Sequence, residues 1–341
     1  MKKLFPFFYP MLFTMSALAM EISSYNKSNS LNEEHLFHSA IQSTNAENPY
    51  SFMQEITQGI NENKKIKRLH RVLSKNGLNT ESFLEKFFET KKINFIAQEK
   101  GCSAHEAKKI LDHLPSSKLL TFPQAEIAFS DKMLPKTTRN LITKLIKQDE
   151  WFKDVPINIA YSPEVEVVAS ITPQQSVSTK TIDITVGPLF YLCCETDTQK
   201  SGCMFHEFAH AKRKHAQETN YIISKLPKCN RTTLNILHEY EADLFAAAES
   251  VSSARAVEST LNCLKKFANS NETISEASIA SKLPATIRQS LDDEYLSSIT
   301  PFLTKKPKSD YPLMAMRHLN AKMVRGLLEL EIGKKDSCYL M

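Results

Sequence analysis

Cys203-Met204-Phe205-His206-Glu207-Phe208-Ala209-His210 is the stretch from which the chain is best read. Its flanking residues Met204, Phe205, Phe208 and Ala209 are apolar and include no helix breaker, so a buried helix is expected here. On a helix, residues four apart share a face, and His206 and His210 can aim their imidazoles at one metal ion. Zinc suits such a pair, because it accepts nitrogen and oxygen ligands in tetrahedral geometry. Glu207 is then close enough to work on an activated water without being a ligand itself.

Downstream, His238-Glu239-Tyr240-Glu241-Ala242-Asp243 offers two carboxylates spaced four apart. Glu239 is a candidate third ligand. Asp243 can accept the free N–H of a ligating histidine and fix its tautomer. Cys203, three residues before His206, could also reach the metal as a thiolate. His215 is read as lying on the His206 helix, two and a half turns further on, in a supporting role. His238 is expected to face away from the metal. His35, His38, His70, His105 and His113 have no partner motif and are expected at the surface.

An alanine-rich helix is expected from about 235 to 268. Upstream the period changes. Residues 155–161, 165–169 and 181–186 are rich in β-branched residues bounded by Pro or Gly and read as a sheet of about three strands. A helix over roughly 136–149 precedes them. Between 52 and 114 the pattern is helical, with Phe83, Leu84, Phe87 and Phe88 on one face and a short amphipathic piece from Ala104 to Asp112. The order of helices, small sheet and helices indicates an α+β protein.

The first 19 residues have a basic start (Lys2, Lys3), an apolar run and the small-x-small ending Ala17-Leu18-Ala19, which reads as a cleaved export signal. Residues 20 to about 50 are polar and rich in Ser and Asn. The domains are therefore expected as signal 1–19, a polar then helical N-terminal module 20–130, and a metal-binding domain 131–341. Export implies an oxidising compartment, so some of the seven cysteines should pair, the odd count leaving at least one thiol over.

Composition excludes several alternatives. Only 7 of 341 residues are Gly, against a usual ~7%, and no phosphate-cradling glycine motif occurs. The net charge of +5 is too weak and scattered for nucleic acid. The local run Lys64, Lys65, Lys67, Arg68 and Arg71 reads as a solvated helix face. No later segment is long and apolar enough to span a bilayer.

His206-Glu207-x-x-His210, His215 and Glu239-x-x-x-Asp243 before an Ala-rich helix together resemble the gluzincin metalloproteases of the HtpX and CAAX-prenyl endopeptidase family, which includes soluble periplasmic BepA-like members. The strands upstream, and Tyr311-Pro312 with Arg317 downstream, are similar to further family elements, so the resemblance covers about 135 to 325. The family's His before Pro is Tyr311 here, and its usual Gly before the second zinc histidine is Ala209. Only 28 residues separate His210 from Glu239, which leaves no room for a membrane hairpin and fits a soluble form.

The resemblance implies a mostly helical zincin-like fold and one Zn(2+) per chain on His206, His210 and Glu239, with Asp243 supporting them. It implies zinc-dependent endopeptidase activity on unfolded or misassembled proteins in envelope protein quality control, in the periplasm or, as the alternative, outside the cell. Glu207 would take a proton from water and return it to the leaving amine. Tyr311 is the favoured oxyanion donor, with Arg317 and His318 as alternatives; Arg317 could instead pair with Asp243 or Glu239. The edge strand around 165–170 would receive an extended substrate. Two other readings stand beside this one: a catalytically silent, zinc-stabilised binding or chaperone-like protein, and a helical interaction protein with a chance HExxH.

Overall fold

The computed structural model describes residues 62–114, 127–129, 134–152, 155–162, 169–173, 182–269, 281–288 and 311–338. The expected export signal and the polar stretch after it lie outside these residues.

Three helices come first: α1 (Glu62–Lys75), α2 (Thr80–Lys100) and α3 (Ala104–Asp112). Asn79 caps α2 by accepting from the Ser82 amide, and α2 stops at Gly101, whose φ of 67° suits a residue without a side chain. Ser103 and Glu106 form a capping box that starts α3 only two residues later. The α2 stripe Phe83, Leu84, Phe87 and Phe88 is buried, as its spacing predicts. In the basic run, Lys64, Lys67 and Arg71 are exposed, as a solvated face requires.

Among the described residues the sheet has four strands, one more than expected: β1 (Ile127–Phe129), β2 (Ile157–Tyr161), β3 (Ala169–Pro173) and β4 (Ile182–Val186), with α4 (Lys136–Gln148) between the first two. Their order is β1-β2-β4-β3; β1, β2 and β4 are parallel, and β3 is antiparallel to β4. β1 escapes sequence reading because three residues are too few to show a period of two. A strand is found at 169–173, while residues 163–168, on which most of the strand expected over 165–169 falls, lie outside the described residues. Ile157, Ile159 and Tyr161 of β2 sit in register with Ile182, Ile184 and Val186 of β4, and all six are buried on one face.

After the sheet come α5 (Pro188–Cys193), α6 (Asp197–Lys212), α7 (His215–Lys225), α8 (Arg231–Ala248), α9 (Val251–Asn269), α10 (Ala285–Arg288) and α11 (Tyr311–Cys338). The single helix expected over 235–268 is two helices. Ser250 lies between them, and its hydroxyl accepts from the Ser253 amide at 3.0 Å, starting α9 afresh.

α6 runs between two apolar cores. On one side, Met204, Phe208 and Ala211 join the buried residues of α4, α5 and the sheet. On the other, Ala209 meets a helical core shared by α1, α2, α8, α9 and α11. A third cluster ties Phe95 and Ile96 of α2 and Ala107 of α3 to Ile222 of α7 and Leu234 of α8. The N-terminal helices therefore share two cores with the helices of the metal motif. Gly202 permits α6 and α9 to touch: a Cβ there would lie 2.2 Å from the Ala256 carbonyl oxygen.

Among the described residues no helix is long and apolar enough to cross a membrane. The six described cysteines, Cys102, Cys193, Cys194, Cys203, Cys229 and Cys263, are all free thiols, so the expected pairing is not seen among them. Four of these are buried and behave as small apolar residues. His70 is also buried, contrary to the surface placement expected; it lies on the face of α1 that packs inward, beside Leu69 and Leu73.

Candidate metal centre

A capping box holds the start of α6: Thr196 accepts from the Gln199 amide at 3.2 Å, and the Gln199 side chain accepts from the Thr196 amide at 3.0 Å. Two turns later His206 and His210 project from one face, with Nε2 atoms 3.1 Å apart. α8 crosses behind them and brings Glu239, whose carboxylate lies 3.3 Å from His206 Nε2 and 3.4 Å from His210 Nε2. Among the described residues these three form the one group able to hold a metal ion. Metal–ligand bonds of about 2.0–2.1 Å in a tetrahedral site place ligand atoms roughly 3.3–3.4 Å apart. The spacing of this donor set fits that requirement.

Each histidine is held from behind. His206 Nδ1–H donates to Asp243 at 2.8 Å. Asp243, 1% exposed, is itself gripped by Arg317, at 2.5 Å from Nε and 3.0 Å from the terminal nitrogen. The same guanidinium reaches Glu239 at 3.4 Å. Of the roles considered for Arg317, the structure places it in the pairing with Asp243 and Glu239.

His210 Nδ1 lies 2.8 Å from Nδ1 of His215. Contrary to expectation, His215 is not on the same helix as His206 but opens α7. The cause is Lys214, whose φ of 58° turns the chain between the two helices and folds His215 back beneath His210. His215 Nε2 lies 3.1 Å from Glu241, although off the line of a straight hydrogen bond. Glu241 is fully buried between Lys92 of α2, at 2.6 Å, and Arg213, at 3.0 Å. Lys92 also meets Glu218 at 2.7 Å. His238, expected to be a bland polar residue, is buried, stacks on the His215 ring at 4.3 Å and lies 3.4 Å from Glu218.

Electrostatics follow from this packing. Burial works against the imidazolium of His206, but the Asp243 and Glu239 carboxylates outweigh it and raise the metal-free pKa to about 10. Burial also opposes ionisation of Glu239 and Asp243, yet both are held below the usual carboxylate range, by His206 and His210 in the first case and Arg317 and His206 in the second. Glu207 is shifted upward, chiefly by loss of solvent. His215 is pushed down to about 3 by burial and so is neutral.

Cys203 is not in the ligand group. It faces the sheet-side core, where contact with the Cys194 side chain and burial keep its thiol protonated. Tyr311 opens α11, the helix that carries Arg317, and its side chain lies outside those described. His318 faces Glu258, 3.8 Å away. Lys92, Arg213 and Glu218 carry no sequence signal, because no motif or spacing links them to the metal ligands.

Comparison of the chain with protein-family models, with curated proteins and with solved structures gives no match.

Proposed function

We propose that this chain is a zinc-dependent endopeptidase of the HtpX-like gluzincin kind, with a zincin-like fold, exported to the periplasm and acting on unfolded or misassembled proteins there. The observation that carries the reading is the arrival of Glu239 from a second helix at two histidines that are each oriented from behind. A chance HExxH would have neither the third donor nor the outer partners.

His206, His210 and Glu239 would hold the ion. When bound, zinc supplies Lewis-acid activation of water and of the scissile carbonyl. Glu207 accepts a proton from the attacking water and delivers it to the leaving amine; its upward-shifted carboxyl suits a group that must do both. Arg317 keeps Asp243 ionised and in place, so Asp243 can hold the His206 tautomer that leaves Nε2 free. Tyr311 is the proposed donor to the oxyanion. Among the described residues β3 is an edge strand, and it packs against α6. An extended substrate laid along it as an added strand would be read through its backbone more than its side chains.

The test pairs metal analysis with cleavage of unfolded casein by wild type and Glu207→Gln. The reading expects stoichiometric zinc in both proteins and cleavage by wild type alone. Zinc in both with cleavage by neither would favour the zinc-stabilised binding protein.

A further inference from the structure

We propose that Lys92, carried on α2 of the N-terminal helices, is a positioning residue for the metal ligand His210, acting through Glu241 and His215. The inference rests on the metal-centre reading above and extends it to a residue more than a hundred positions from the HExxH motif.

His210 can ligate through Nε2 only if its proton sits on Nδ1, and Nδ1 faces Nδ1 of His215 at 2.8 Å. Two ring nitrogens that face each other can share only one proton between them, so one must accept. The far nitrogen of His215 decides which. It lies 3.1 Å from the Glu241 carboxylate, off the line of a straight hydrogen bond, and a carboxylate gripped by Lys92 and Arg213 can only accept. With Nε2 turned to a carboxylate and Nδ1 to His210, His215 carries its ring proton on Nε2 and offers a lone pair at Nδ1. His210 donates to it and keeps its own Nε2 lone pair for the metal.

Glu241 fixes the tautomers only while it stays in place, and it is fully buried. A buried carboxylate requires a partner cation. Arg213 serves one oxygen, Oε1, from α6–α7. Lys92 serves Oε2, the oxygen that faces His215, and at 5% exposure it has no aqueous alternative. Lys92 also holds Glu218, which lies against the His238 ring stacked on His215. Two cations and two carboxylates thus close a charge-balanced cluster, and one of the cations comes from the N-terminal helices. Those helices are then part of the metal centre rather than a detachable leader.

The test measures zinc affinity of the full chain by chelator competition, and the absorption spectrum of the cobalt-substituted protein. Lys92→Met is the direct variant. Lys92→Met with Glu218→Gln removes one charge of each sign and keeps the cluster neutral, so that folding is preserved. Leu73→Ala, in the helical core, loses stability without touching the path to His210. Both Lys92 variants are expected to bind zinc about 10- to 100-fold more weakly with an altered cobalt spectrum, and Lys92→Arg to recover part of the loss; Leu73→Ala is expected to bind as wild type does. In wild type, ring-nitrogen NMR of the zinc form should find the proton of His210 on Nδ1 and that of His215 on Nε2. Wild-type affinity in the folded double variant, or the opposite tautomers in wild type, overturns the proposal. A wild type that binds no zinc overturns the metal-centre reading itself, whereas tight zinc unaffected by Lys92 overturns this inference alone.

Discussion

Asp243 shows how much of this centre depends on groups that never reach the metal. It accepts from His206 and is held by two nitrogens of Arg317 while almost wholly buried. Asp243→Asn should keep the shape, lose the charge, and weaken zinc binding by about 10- to 100-fold in chelator competition. Equal affinity would show that the tautomer of His206 is set elsewhere. His206 also predicts a pH dependence. Its metal-free pKa lies at about 10, above the ordinary value of 6.5. The imidazolium therefore contributes stability to the metal-free protein that is fully present below about 6.5 and is lost as pH rises through about 10. Zinc must displace that proton, so its affinity should rise across the same window, by roughly tenfold per pH unit for each proton released. A flat affinity profile between pH 6.5 and 9 would contradict the assignment.

At the scale of elements, the close crossing of α6 and α9 is the most exacting contact. The atom that a Cβ on Gly202 would strike is the backbone carbonyl of Ala256, and the Thr260 hydroxyl beside it donates to Gln199 at 2.5 Å. Backbone cannot move aside as a flexible side chain can. Gly202→Ala should cost about 3 kcal/mol in urea unfolding and disturb His206 one turn later; a loss below 1 kcal/mol would mean that the helices can separate cheaply. α6 itself was legible, because the apolar residues around HExxH and the lack of a helix breaker agree on a buried helix, whose start the structure places at the Thr196–Gln199 capping box. The α8–α9 break was partly legible in Ser250-x-x-Ser253, but the alanines on either side mask it. The turn before α7 was not legible. A left-handed residue is ordinarily announced by Gly or Asn, and Lys214 is neither.

For the whole molecule, the N-terminal helices share their cores with α8, α9 and α11 and send Lys92 to the inner cluster. Sequence reading separates them because nothing in local periodicity reports that Lys92 has a partner at Glu241. The two histidines, by contrast, were legible from spacing, since helical i, i+4 geometry is local. Glu239 took its meaning from the motif upstream, and the structure brings the two together. If the ion binds the folded state and not the unfolded chain, free zinc at 1,000 times Kd should stabilise the protein by about 4 kcal/mol, read as a raised unfolding temperature that chelator reverses. An unfolding temperature indifferent to zinc and chelator would remove the metal from the account. The most direct test of the central claim is the cleavage of unfolded casein by wild type and Glu207→Gln at equal zinc content. Loss of a general base should lower the rate by about 10²- to 10⁴-fold with zinc retained; a mutant that cleaves as fast as wild type would contradict it.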